Sequence, residues 1–398
     1  MKIMSLIGAV SLVAAAMPVV AQNSYPGKNP HTVIVVPDSS VQHAADVGKR
    51  AHTNHLILMR TDASPNASSG PTGNTPATIY PVYGVTPGGG GTIAIVDAYD
   101  YPTASNDLHV FSLATGLPDC TTENGCLKIV WPGSTKPRGN CGWNQEAALD
   151  IQWAHAMAPN AKIVLVEAKT NSNADLYAAV DYATTQVLAG PGGKGEVSMS
   201  WGGAEYSTEA SSDFHFAHSG VVYFASSGDT GGATIYPSAS PNVVAAGGTS
   251  LNRNADKSFK SETGWSGSGG GASKYEPIPS FQSGVAGVSA TKRSIPDFSF
   301  DADPNTGVSV YDSTRCQGIS GWLVFGGTSV SSPALAGIVN SAGHFYPDSA
   351  TELRTMYQSI SYPTNFYDVL TGTAGGNTAK AGYDFVTGIG SSRGFVGK

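Results

Sequence analysis

Ser329 stands in the stretch FGGTSVSSPALAG, which runs from 325 to 337. Two glycines and a threonine precede it, and after Pro333 the residues are small or apolar, as a helix would need. A serine so placed is either a helix cap or a nucleophile. A nucleophilic serine needs a group that takes its proton, and histidine is the usual one. The chain has nine histidines, at 31, 43, 52, 55, 109, 155, 215, 218 and 344, and none lies in an HGTH stretch. His155 falls on a helical pattern, but five residues past Asp150 it points off that residue's face. It reads as a surface or packing residue. The sequence has no HExxH zinc motif.

Carboxylates offer a better base. In CGWNQEAALDIQWAHAMAP, Glu146 and Asp150 are four residues apart on a helical pattern and so share one face. The Ala, Leu, Ile and Trp around them predict partial burial. Two close carboxylates tend to keep one proton between them, and such a pair can act as a general base. The competing reading is a surface acidic pair near a helix start. Asp229 follows the apolar run VVYFASS on a glycine-flanked turn, SGDTGG. It is a plain turn residue or, if protonated, a hydrogen-bond donor to a developing oxyanion.

These residues need a scaffold. TIAIVDA (92–98), KIVLVEA (162–168), EVSMSW (196–201), VVYFASS (221–227) and NVVAAGG (242–248) are nearly continuous apolar runs. Strands covered on both faces read this way. NQEAALDIQWAHAMA and NADLYAAVDYATTQVLA lie between them as helices. The alternation predicts an α/β fold, a mostly parallel central sheet with helices on both faces, with ligands at the carboxyl ends of the strands. HTVIVVP (31–37) is a further candidate strand, and TDASPNASSGPTGNTPAT (61–78) has the composition of a flexible linker. The glycine run at 88–91 precedes its strand, so it is not a dinucleotide loop. SGSGGGAS (266–273) is either a flexible loop or an extended backbone for pairing with a peptide.

The 398 residues carry 22 Lys and Arg in no block and a net charge of −7, which argues against nucleic acid as a partner. MKIMSLIGAVSLVAAAMPVVAQ has the form of a signal peptide cut after Ala21, and no later run reaches membrane-spanning length. Export makes disulfides reasonable among Cys120, Cys126, Cys141 and Cys316. Of three pairings, one closes a short loop with Cys120–Cys126 and leaves Cys141–Cys316 as the other bond. A zinc site is disfavoured because the paired CxxC form is missing.

Taken together, these motifs resemble the sedolisin family of serine-carboxyl peptidases, which have a subtilisin-like three-layer fold. The resemblance covers roughly 80–398 and rests on Gly327, Thr328, Ser329 and Pro333, on Glu146 and Asp150, on the SGDTGG turn, and on SMSWGGAE (198–205) with Trp201. AAGGTSL (245–251) and PDFSFDADPNTGV (296–308) extend it. It implies a secreted endopeptidase active in acid, with Ser329 as nucleophile, Glu146 as base, Asp150 as its partner and Asp229 at the oxyanion. Asp97 would support the acidic pair. It also implies one structural calcium ion, bound by the side chains of Asp368 and Asp384 and the carbonyls of Val369, Lys380 and Gly382. The expected partner is a peptide or protein substrate, with no membrane after signal cleavage and a monomeric state. The expected divisions are a signal peptide (1–21), an N-terminal extension and linker (22–78) and a peptidase domain (79–398). Residues 22–78 are too few for the family's long prodomain. Alternatives are a tripeptidyl-peptidase of the same family, an inactive peptidase-like binding protein, and an esterase.

Overall fold

The structure is a computed structural model that describes residues 23–62, 68–256 and 258–398; the expected signal peptide at 1–21 lies outside them. At its centre the strands Leu127–Val130, Lys162–Ala168, Thr92–Ala98, Gly195–Met199, Val221–Ser226, Val244–Arg253 and Phe298–Asp301 lie side by side in that order, each parallel to the next. Alternate side chains leave opposite faces. Ile93, Ile95, Ile163 and Leu165 pack with Leu149, Trp153, Leu335 and Ile338 of the helices Cys141–Met157 and Thr328–Ala342. Ala94, Val96, Val164 and Val166 pack with Leu176, Val180 and Val187 of the helix Asn173–Ala189 on the other side. The expected α/β three-layer architecture is therefore present. The first strand, Thr92–Ala98, has later strands on both sides, so the chain order reverses beside it. Open sheets form their clefts at such a reversal, beyond the carboxyl ends of the strands.

Both disulfides are formed, Cys120–Cys126 and Cys141–Cys316. The second ties the start of the helix Cys141–Met157 to the end of the strand Val308–Cys316.

The segment before residue 79 is woven into the same body. Thr32–Val35 pairs with Leu56–Arg60, which pairs with Ile319–Gly326, the strand that leads to Ser329. Ile57 and Leu56 are buried by this pairing. The expected boundary at 78/79 falls inside the helix Pro76–Tyr83, which Thr75 and Thr78 cap reciprocally. Just before it, the Asn74 N–H donates to the Gly307 carbonyl at 2.8 Å.

SGSGGGAS proves to be packed backbone. The Gly269 N–H donates to the Gly228 carbonyl at 2.8 Å and the Gly270 N–H to that of Ala233 at 2.9 Å. This loop buttresses the turn that carries Asp229, so it is not a flexible loop.

Candidate active site

The helix Cys141–Met157 begins where the Asn140 side chain accepts from the N–H groups of Gly142 and Trp143. The residues that follow are buried almost without break, including Glu146 and Asp150, both wholly enclosed. It is a core helix rather than an amphipathic one, and the reading of a surface acidic pair is excluded. Against it lies the helix Thr328–Ala342. A side chain at Gly337 would meet Met157 Cβ at 2.5 Å, so glycine lets the two helices approach closely.

Ser329 is at the amino end of its helix, where the N–H groups have no partner within the helix. Its N–H donates instead to the Asn54 carbonyl at 2.9 Å. Gly327 precedes the helix with φ of 95°, and a Cβ there would meet Asn54 O at 2.2 Å and Asp229 Oδ2 at 2.5 Å. Glycine is required both by its conformation and by space. Pro333 lacks the N–H that would bond to the carbonyl of Ser329 four residues back. Ser200 Oγ lies 3.2 Å from that freed carbonyl and 2.8 Å from Asp150 Oδ1. One hydroxyl has one hydrogen, so a proton on Asp150 lets both contacts be made.

The burial of the carboxylates makes the same point. Glu146 Oε1, Asp150 Oδ2, both oxygens of Asp97 and Asp229 Oδ2 are buried without a hydrogen-bond donor. Ionised, each would carry a desolvation cost of several kcal/mol. Burial, then the nearby acids Asp97 and Glu146, holds the Asp150 pKa well above the usual carboxylate range. Burial, followed by Glu146 and Glu167, does the same to Asp97. Asp97 and Glu167 occupy paired positions on adjacent parallel strands, and burial lifts Glu167 to about 7. Protons retained within this group remove charge that the protein could not solvate.

Asp229 follows the strand Val221–Ser226. Its Oδ1 accepts from the N–H and Oγ of Thr328, both at 2.8 Å. Burial raises its pKa to about 8 despite those two bonds, with Glu146 adding to the rise. With Oδ1 engaged, the proton belongs on Oδ2, which lies beside Gly327 together with the Asn54 carbonyl.

Sequence reasoning gave no role to Asn54 and His55, yet both are in the site. The Asn54 N–H donates toward Ser329 Oγ and Glu146 Oε2, each at 3.2 Å, and toward the Ser200 carbonyl at the same distance. His55 is buried with Nδ1 2.9 Å from Glu146 Oε2, stacked on Phe325. The apolar run LILM that follows His55 was the available signal, since it marks a buried strand. Glu167 was also missed. TIAIVDA and KIVLVEA each carry an acid next to last, and parallel pairing alone sets those acids side by side.

His155 is a packing residue and not a surface one. It is fully buried with Nε2 2.9 Å from the Pro118 carbonyl. It lies near Cys120 and Cys126, but their sulfurs are joined to each other, so the three do not form a metal site.

At the C-terminal end one loop brings Asp368 and Asp384 together. The Gly382 N–H donates to both Asp368 oxygens at 3.2 and 3.3 Å, and the Lys380 N–H donates to Asp384 Oδ2 at 3.1 Å. Two carboxylates with neighbouring backbone carbonyls make an all-oxygen set, which suits a hard cation such as calcium.

A three-layer α/β body with a buried serine and carboxylates at the sheet's reversal defines the class. Residues 140–390 match the subtilase family, and the chain belongs to it. It is similar to sedolisin of Pseudomonas sp. (strain 101), 28% identical over 86% of this chain and 63% of that protein. It is also similar to kumamolisin of Bacillus sp. (strain MN-32), 31% identical over 81% of this chain and 63% of that protein. The chain thus spans just under two thirds of the length of these relatives. Among solved structures it superposes on Pseudomonas sedolisin, described as a serine-carboxyl proteinase complexed with two molecules of pseudo-iodotyrostatin. The TM-score is 0.67 at 25% identity, covering 81% of this chain and 96% of that one. Sphericase shares the fold, with a TM-score of 0.54 at 19% identity, covering 82% of this chain and 99% of that one.

Proposed function

We propose that this protein is a secreted serine-carboxyl endopeptidase that works in acid. One observation carries the reading: Ser329 Oγ and Glu146 Oε2 both face the same backbone N–H, that of Asn54, beside a buried Asp229 with a free oxygen. Ser329 Oγ attacks the substrate carbonyl and Glu146 takes its proton. The oxyanion accepts from the Ser329 N–H and from protonated Asp229. Glu146 returns the proton to the leaving amine, and water then hydrolyses the acyl-enzyme by the same route in reverse. Asp150 orients Glu146 and holds a proton for the pair, with Asp97 beneath it.

An endopeptidase is favoured over a tripeptidyl-peptidase because the protein's own residues 52–58, which lie across Ser329, continue on both sides of it. They pair with Trp201–Ala204 on one side and with Ile319–Gly326 on the other. A cleft that passes a continuous chain does not require a free amine three residues from the cut. Intact Ser329, Glu146, Asp150 and Asp229 in one buried cluster argue against a binding protein. The two disulfides suit an oxidising compartment, which supports export. Asp368 and Asp384, with the carbonyls of Val369, Lys380 and Gly382, would hold one calcium ion, whose contribution is to fix the terminal loop. The test is hydrolysis of one peptide and one ester by the wild type and by S329A. Peptide turnover lost in S329A supports the reading; ester turnover alone would replace it with an esterase.

A further inference from the structure

The peptide unit that rests on Ser329 marks where the acyl-side residue of a substrate would sit. The Asn54 carbonyl accepts the Ser329 N–H at 2.9 Å, where an oxyanion would form. The Asn54 side chain is buried and reaches toward the end of the strand Val221–Ser226, where its Nδ2 donates to Ser226 Oγ at 2.7 Å. Beyond Ser226 two glycine backbones surround one methyl group. A Cβ on Gly202, which pairs with His52, would lie 2.6 Å from Ile235 Cδ1. A Cβ on Gly228, two residues past Ser226, would lie 3.2 Å from the same atom. Bare glycine backbones leave a slot that a long side chain could enter, and Ile235 occupies it. The isoleucine is 4% exposed and is held through its backbone. Ile235 and Tyr236 pair with Ala204 and Gly203. The Ile235 carbonyl accepts from Ser238 Oγ at 2.9 Å and from the Ala239 N–H at 3.0 Å. Just before it, Thr234 Oγ1 donates to Glu205, which also accepts from Ser273 Oγ and, at 3.1 Å, from the Lys274 N–H.

We infer that Ile235 is a specificity-determining residue that closes the acyl-side pocket, so that the enzyme cuts after short residues and rejects long aromatic ones. The inference rests on the proposed peptidase activity and adds a substrate class to it. A side chain of the length of asparagine ends at Ser226, in front of the isoleucine. A phenylalanine ring would need the space between Gly202 and Gly228, which Ile235 Cδ1 already fills. The clamp of Glu205 on Thr234 and the two bonds to the Ile235 carbonyl hold the floor in place, so the ring cannot gain that space by moving a free loop. Ile235 acts by its volume alone and touches none of the groups that make or break bonds. A mismatch of one methylene in a closed pocket already changes kcat/KM by about 10- to 200-fold, and a ring exceeds a short side chain by more than that.

The experiment measures kcat/KM for peptides that differ only in the residue before the cut, which is alanine, asparagine, leucine or phenylalanine. Mass spectrometry of the products locates the cut. The wild type is compared with I235A, which empties the slot, and with I235V, which removes only the Cδ1 atom between the glycines. The wild type should favour alanine and asparagine over phenylalanine by about tenfold or more. The ratio of phenylalanine to alanine should rise by about tenfold or more in I235A, and the ratio of leucine to alanine by about threefold or more in I235V. Should I235A lose its circular dichroism spectrum, the leucine ratio in I235V decides. A wild type that cuts after phenylalanine as readily as after alanine would overturn the inference and leave the peptidase reading standing. So would ratios that stay the same in both variants. No hydrolysis of any of the four peptides would remove the peptidase reading, and the inference with it.

Discussion

The protein holds two groups of acids that differ in the hydrogen bonds their carboxyl oxygens receive. Around Ser329, the carboxyls of Glu146, Asp150, Asp97 and Asp229 are buried, and several of their oxygens meet no donor. In the C-terminal loop, Asp384 accepts from the N–H groups of Lys380, Val386 and Thr387, and Asp368 accepts from Gly382. The first group has hydrogen-bond needs that its own protons can meet. The second has its charge supported by backbone donors, and its oxygens suit a cation. On the proposed reading the same side-chain chemistry serves proton transfer in one place and cation binding in the other, and the surroundings make the difference.

The largest effect should come from breaking the first group. E146Q and S329A should each lower kcat for a peptide by about 10³-fold or more, with an unchanged circular dichroism spectrum. Activity within threefold of wild type, on the order of 0.7 kcal/mol, in E146Q would show that Glu146 is not the base. Asp229 should come next. D229A should cost about 10²- to 10³-fold in kcat, the usual value of one oxyanion donor. D229N should keep much more activity, because its Oδ1 can accept from Thr328 while its Nδ2 donates. Equal losses in the two variants would contradict a donor role.

A broader effect concerns stability. Acids with raised pKa values bind protons more tightly in the folded state than in the unfolded one, so folding is favoured below the unfolded pKa. That stability is lost as pH rises through the folded values. Burial raises Asp229 to about 8, Glu352 to about 8 and Glu209 to about 9. The melting temperature of S329A, chosen to prevent self-digestion, should therefore be highest in acid and fall steadily between about pH 4 and pH 9. A maximum on the alkaline side would refute the protonated cluster. The smallest effect should be in the terminal loop. Removing calcium with a chelator should lower the melting temperature by a few degrees, and D384N should show no further response. Equal curves with and without chelator would remove the calcium site.

Much of the first group was legible in the sequence. Glu146 and Asp150 share a helix, so their spacing alone sets them together, and Ser329 sits in a local turn whose glycine and proline carry the geometry. The strands of the sheet were legible as apolar runs because both of their faces are covered. Asn54 and His55 were not legible, because their position depends on strand pairings with residues about 150 and 270 positions away. The glycines at 266–273 misled because composition reports freedom of the backbone and not the close packing that such freedom permits. Residues 68–78 looked like a linker for the same reason, although Asn74 and Thr75 anchor and cap them.

The central claim is that protonated carboxyls, and no histidine, govern the reaction. It is tested most directly by kcat/KM against pH on one peptide, with circular dichroism at each point to exclude unfolding. Asp229 donates only while protonated, and its raised pKa of about 8 keeps that proton through acid and neutral solution. The profile should be highest in acid and decline toward alkaline pH as the carboxyl cluster loses its protons, with the donor at Asp229 gone above about 8. A profile that climbs between about pH 5 and 8, as the loss of a proton from a histidine base would give, would contradict the account.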